Sequence, residues 1–120
     1  ELLCRSEEKV MHTIELQPRF FDAFTKGEKQ VEIRCLDEKR REIRVGDMIQ
    51  FQKPNGESFR AKVAELVACD SFGELYERIS AEDLGFPGMS RKEFISTMRT
   101  IYPVAREKSL GVLGIRVEPI

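Results

Sequence analysis

Tryptophan is absent from this 120-residue chain, histidine occurs once, and the three cysteines stand far apart with no C-x-x-C pair. His12 with Cys4, Cys35 and Cys69 has no zinc-ligand spacing, so no metal or other cofactor is expected. A Cys/His nucleophilic pair has no local signature either. The cysteines are expected as small buried or half-buried packing residues in a reducing compartment. No apolar run exceeds a few residues, which excludes a transmembrane helix. The first ten residues, ELLCRSEEKV, lack the basic start, apolar centre and small-residue cleavage site of a secretory signal. Residues 1–10 are therefore expected to be a polar extension ahead of a single domain at 11–120, and the protein to be cytoplasmic. With 20 basic against 21 acidic residues and a formal charge of −1, there is no bulk attraction to nucleic acid; such a surface has to be local. At 41% hydrophobic and 34% charged, the chain has the composition of one heavily solvated globular domain rather than a disordered segment.

What is present alternates strands and short helices. Met11 to Leu16 reads as a strand, and Pro18 then suits a first helical position, with Phe20, Phe21 and Phe24 at helical spacing before a stop at Lys26-Gly27. Val31 to Cys35 alternates apolar and charged residues, as a half-buried strand does. Asp37 to Arg44 is a charged excursion with room for one helical turn. Val45-Gly46-Asp47 is a turn, and Met48 to Phe51 a strand. Asn55-Gly56 predicts a tight hairpin in which both central residues take positive φ. The strand that follows, Ser58 to about Cys69, is long enough to bend. Ser71 to Ile79 predicts a helix with Phe72, Leu75 and Ile79 on one face. Ser90-Arg91-Lys92-Glu93 has capping-box spacing ahead of a second helix, carrying Phe94, Ile95 and Met98 and ending at Tyr102-Pro103. Leu84 to Gly88 reads as a loop. Leu110 to Val117 closes the chain as a strand interrupted at Gly111 and Gly114, where bulges or close backbone approach are expected. Strands outnumber helices, which predicts an α+β architecture built on a mostly antiparallel sheet or small barrel.

The stretch from Lys26 to Arg34 holds the densest chemistry. On a strand over 30–35, Glu32 and Arg34 share one face while Val31, Ile33 and Cys35 take the other, and Lys29 stands at the strand's mouth. The trio combines an amine with a tunable pKa, a carboxylate acceptor or base, and a planar fork for phosphate or a base edge. By spacing alone, such alternation ordinarily marks the solvated face of a sheet.

Gly27-x-Lys29-x-x-Glu32-x-Arg34, followed by Val45-Gly46-Asp47-x-Ile49-x-Phe51, resembles an ASCH domain of the PUA-like superfamily. Phe20 and Phe24 fall in that family's first helix, Asp37 to Arg41 in the charged segment after the motif strand, and Ser71-Phe72 at the opening of the next helix. Gly111 to Ile115 resembles the closing strand. The likeness covers roughly residues 11 to 118 and is nearest to small stand-alone bacterial and archaeal members. It implies a mostly antiparallel β-barrel flanked by short α-helices, with a cleft beside the motif strand, and RNA or a modified nucleoside as partner.

Carried over residue by residue, Lys29, Glu32 and Arg34 would line that cleft and Arg40, Arg41 and Arg44 its basic rim. Lys26 and the stacking candidate Tyr102 complete the expected nucleic-acid contacts. One ASCH branch deacylates N4-acetylcytidine with a Lys, a Thr and a Glu. Lys29 matches the first, Glu32 occupies the Thr position, and the Glu position falls near Pro87, with Glu82 and Asp83 the closest acids. Other members are reported to cleave single-stranded RNA. Lys29 and Glu32 are thus the catalytic candidates if the protein is a hydrolase, whereas a binding module needs only the cleft and its rim. A protein-interaction role would instead expose an apolar patch around Phe72, Leu84 and Phe86. Charge is distributed to match a local surface: residues 26–44 carry seven Lys/Arg against five acids and residues 90–108 five against two, while residues 65–87 carry one against six.

Overall fold

Local signals become elements in the computed structural model, which describes residues 10–120. Cys4 and all but the last residue of the expected N-terminal extension lie outside the described residues. The chain runs β1 (Met11–Glu15), α1 (Pro18–Thr25), β2 (Val31–Cys35), one 3-10 turn at Arg40–Glu42, β3 (Met48–Gln52) and β4 (Ser58–Cys69). It continues through α2 (Phe72–Arg78), α3 (Ala81–Leu84), α4 (Arg91–Ile101) and α5 (Val104–Leu110) to β5 (Val112–Pro119).

Pro18 opens α1, where its missing N–H would have no intrahelical acceptor in any case. Ser90 and Glu93 form the expected capping box: the Glu93 amide donates to Ser90 Oγ at 3.1 Å and the Ser90 amide to Glu93 Oε1 at 2.8 Å. The β3–β4 hairpin forms at Asn55-Gly56, but not with two positive φ angles. Only Gly56 has one, at 96°, while the Gly56 amide donates to the Lys53 carbonyl at 2.9 Å. Pro54 is the reason: its ring holds φ near −65°, which admits a turn of type I with a glycine after it and excludes the primed turn.

The five strands form one sheet in the order β1-β3-β4-β5-β2, with β1 parallel to β3 and every other pair antiparallel. β4 is long because it serves two neighbours. Ser58 to Lys62 pair with β3, Ala61 to Cys69 pair with β5, and the register slips between Val63 and Glu65. That irregularity is the bend its length implied. The sheet curls into a half-barrel whose edge strands face each other across a seam. Arg34 of β2 reaches over to donate from Nη2 to the Glu15 carbonyl of β1 at 2.9 Å.

Two apolar layers follow from the pleat. Inside the curl, Ile14, Ile49, Phe51, Val63 and Ile115 pack under Phe21 and Phe24 of α1. Outside, Val31, Ile33 and Val112 pack against Phe72, Leu75, Leu84, Phe94 and Met98 of the helical layer. Each of these fully buried side chains contributes roughly 1.5–3 kcal/mol of transfer free energy. Gly114 makes the outer packing possible. A Cβ there would lie 3.0 Å from Leu75 Cδ1 and 3.1 Å from Ile79 Cδ1. Phe72, Leu84 and Phe86 belong to this layer and are buried, so the apolar patch that a protein-interaction role required is not exposed.

Candidate functional site

The seam between β1 and β2 is where the half-barrel fails to close, and a cleft of about 170 Å³ occupies it. β2 supplies the polar floor. Its outward residues Val31, Ile33 and Cys35 are buried under the helices, and the opposite face, which alternation suggested would be solvated, is enclosed as well: Glu32 is only 6% exposed. The face is enclosed because the sheet curls over it and α1 covers the curl.

Lys29 enters the floor from the turn after α1. Gly27 takes φ of 77° to reverse the chain, and the Lys29 amide donates to the Ala23 carbonyl at 3.2 Å. Lys29 is 3% exposed, and its Nζ donates to the Leu84 carbonyl at 2.7 Å and stands 3.9 Å from Glu32 Oε1. The ring centroids of Phe20, Phe24 and Phe86 surround the ammonium at 5.3, 5.5 and 5.7 Å, close enough for cation–π attraction. Burial among these groups lowers the Lys29 pKa to about 8; Glu32 pulls it upward and Arg34 adds to the lowering.

Arg34 crosses the floor. Its Nε donates to Glu32 Oε2 at 2.7 Å while Nη2 holds β1. Burial opposes the Arg34 charge, but the Glu32 carboxylate outweighs it and the pKa is raised, with the Tyr102 hydroxyl adding to the same effect. Tyr102 comes from the residue that ends α4. Its own pKa is raised, chiefly by burial. Leu16, Phe20, Phe86, Met98 and Ile101 make the apolar walls.

Of the expected site residues, Lys29, Glu32, Arg34 and Tyr102 meet in this cleft. Arg40 is half-buried near Arg34 without lining the wall, and its pKa is lowered by burial and then by repulsion from Arg34. Lys26, Arg41 and Arg44 are exposed and outside the cleft. The Arg44 backbone N–H instead binds Asp47 Oδ2 at 3.0 Å. The two basic segments meet along the cleft, which Arg34 and Tyr102 both line, and again where Arg106 Nη2 lies 3.8 Å from Asp37 Oδ2. Arg91 turns to Glu77 and Arg99 to Glu107. Among the acids near Pro87, Asp83 is bound to Arg116 at 3.0 Å and Glu82 is exposed.

Met98 and Ile101 carry no sequence signal as cleft walls because they sit far from the motif, on the helix that the fold brings across it, whereas Phe86 belongs to the Leu84 to Gly88 stretch, a segment placed to cover the cleft. The one local hint was Phe86, an aromatic residue set in a Gly/Pro loop. His12 clamps the sheet edge, its Nε2 lying 2.8 Å from Asp47 Oδ2. Cys35 and Cys69 are free and buried, and burial pushes both thiols up, away from the thiolate a nucleophile requires. Among the described residues no group of three His, Cys, Asp or Glu side chains could hold a metal ion, and no helix is long and apolar enough to cross a membrane.

The same fold recurs in solved structures. The crystal structure of hypothetical protein PH0355 is 33% identical, with a TM-score of 0.84, covering 92% of this chain and 100% of that one. Pyrococcus furiosus protein PF0455, solved by NMR, is also 33% identical, with a TM-score of 0.74 over 92% of this chain and 98% of its own. The ASCH protein of Zymomonas mobilis shares the fold at 18% identity, with a TM-score of 0.60 over 94% of this chain and 72% of that one. No curated protein matches the chain. The ASCH domain model matches residues 14–120, from inside β1 through β5. With that span and two small proteins a third identical along nearly their full lengths, the chain belongs to the ASCH domain family, a family associated with RNA.

Proposed function

We propose that the seam cleft binds a single base, either unstacked from an RNA strand or carried by a modified nucleoside. The observation that carries this reading is a Lys29–Glu32–Arg34 floor, with Lys29 and Glu32 buried, inside a cavity of about 170 Å³ whose other walls are mostly apolar. A cavity of roughly 150 Å³ accommodates benzene, whereas drug-sized ligands need about 300–1,000 Å³. The volume therefore suits one ring with its substituents. Glu32 Oε2 is engaged by Arg34, but Oε1 lies 3.9 Å from Lys29 Nζ and keeps capacity to accept a hydrogen bond. An exocyclic amine, as on cytosine, is the matching donor. Phe20 and Phe86 offer apolar surface to the ring, and stacking of this kind is worth about 1–3 kcal/mol per base.

Isothermal titration with cytidine, N4-acetylcytidine and short single-stranded RNA tests the reading. Binding is expected, weakened about tenfold or more by Glu32→Gln, since a lost bond to a charged group is worth about 1.5–3 kcal/mol. Equal affinity in wild type and variant would place the ligand elsewhere.

A second reading is favoured by the lowered pKa of Lys29, which leaves part of its population neutral near physiological pH. In a hydrolase acting on N4-acylated cytidine nucleosides or on single-stranded RNA, Lys29 and Glu32 would be the proton-transfer pair. Chromatographic product analysis separates the two readings: turnover abolished by Lys29→Met supports hydrolysis, and binding without product supports the module.

A further inference from the structure

Arg34 and Tyr102 both line the cleft, and the Tyr102 hydroxyl is near enough to act on the Arg34 charge. Arg34 commits Nε to Glu32 and Nη2 to the Glu15 carbonyl. Arg40, from the 3-10 turn after β2, is half-buried and near enough to both to feel their charges. Its backbone N–H, rather than its side chain, binds Asp37 Oδ1 at 2.9 Å. Among the described residues no carboxylate stands within ion-pair distance of the Arg40 guanidinium. The nearby acids are engaged elsewhere: Glu32 by Arg34, and Asp37 by the Arg40 amide with Arg106 at 3.8 Å. Glu15, the other acid of the cleft, meets Arg34 through its carbonyl.

Two guanidiniums gathered beside a hydroxyl, one of them lacking a counter-charge, are an unfavourable arrangement for the empty protein. The arrangement becomes favourable when an anion with several acceptor oxygens arrives, because the planar forks bind such oxygens in pairs. We propose that Arg34, Arg40 and the Tyr102 hydroxyl form a phosphate seat at the mouth of the cleft, so that the ligand is a nucleotide gripped there by its phosphate. This assignment rests on the base-binding reading and narrows it: a free nucleoside leaves the seat empty, and a phosphorylated residue, alone or within a strand, fills both places at once.

The test compares cytidine with its 5′- and 3′-monophosphates by isothermal titration at low and high salt. Inorganic phosphate, followed by phosphorus NMR line broadening, serves as a base-independent probe. One of the monophosphates is expected to bind about tenfold or more tighter than cytidine at low salt, with the advantage shrinking as salt rises. Arg40→Gln should narrow that ratio to within about twofold, as one of the two guanidiniums is lost. Equal binding of cytidine and both monophosphates by the wild-type protein would overturn the seat and leave the base reading standing. Phosphate broadening removed by Arg40→Gln, without any cytidine affinity, would support the seat and overturn the base reading. Absence of both signals would overturn both.

Discussion

Replacing Lys29 by Met removes a buried cation while keeping a chain of similar length against Phe20, Phe24 and Phe86. The pKa of Lys29 falls from the ordinary 10.5 to about 8 on folding. At about 1.4 kcal/mol per pH unit, the folded protein bears about 3 kcal/mol for holding Lys29 charged. Below about pH 8 the amine is protonated in both folded and unfolded chains, so this cost is fully present. Between about pH 8 and 10.5 only the unfolded chain retains the proton, and wild-type stability rises with pH. The variant has no such titration. At about pH 7 it escapes the cost of the charge but leaves the Leu84 carbonyl without its donor, worth roughly 1–3 kcal/mol. The two proteins should therefore differ by less than about 2 kcal/mol there.

Urea unfolding of both proteins from about pH 7 to about pH 10.5 measures this directly. The stability of wild type minus that of Lys29→Met should climb by about 3 kcal/mol across the range. Groups titrating in both proteins, such as the cysteines and Tyr102, cancel in the difference. Parallel curves would refute the argument, because they would mean that Lys29 keeps its ordinary affinity for protons when folded.

Gly85 takes φ of 92°, and an added Cβ would lie 2.8 Å from Lys29 Cδ, whereas Gly27 takes φ of 77° with open space around it. Gly27→Ala should cost about 1 kcal/mol for the backbone alone and Gly85→Ala measurably more, by urea unfolding; equal losses would show that the Lys29 contact is soft. Glu107 is buried, accepting from the Phe72 amide at 3.0 Å and from Arg99 Nε at 3.0 Å. Glu107→Ala orphans that buried N–H and should cost about 2–3 kcal/mol, read as a fall in the urea midpoint. The Asp47 pKa is lowered below 3.8: burial works the other way, but the hydrogen bond from His12 and backbone N–H donors outweigh it. A carboxyl lowered on folding adds stability above its unfolded pKa and loses it as pH falls through the folded one. Asp47→Asn should therefore flatten the acid limb of the stability profile below about pH 4, and an unchanged limb would remove Asp47 from the account.

Helix starts with their own chemistry were readable locally. Pro18, Ser71 and the Ser90–Glu93 box each satisfy or dispense with a terminal N–H inside a few residues, without tertiary help. Two helices are not legible in this way. α3 opens on Ser80, whose Oγ accepts from the Asp83 amide at 3.2 Å, but at four residues it is too short for any apolar period, and only its last residue, Leu84, falls in the segment that reads as a loop. α5 buries only Glu107, so its sequence carries no hydrophobic stripe and its position depends on what Glu107 caps. At Asn55-Gly56 the hairpin was legible but its type was not, because Pro54 overrides the preference of the pair that follows it.

The motif strand marks the same boundary at the site. Spacing alone places Glu32 and Arg34 on one face, since alternation is a property of extended backbone and holds in any tertiary setting. Whether that face meets water or the inside of the molecule depends on curvature, and curvature comes from the slip in β4 between Val63 and Glu65 and from the seam that Arg34 bridges to Glu15. Burial then changes the chemistry. The Lys29 that sequence offers as an ordinary amine becomes one with a pKa of about 8, because Leu84 and Phe86, more than fifty residues along the chain, fold over it. Sequence by itself determined which groups stand at the motif and their order along the strand. Tertiary structure decided which of them share a cavity, because desolvation depends on everything packed around a group and not on its neighbours in the chain.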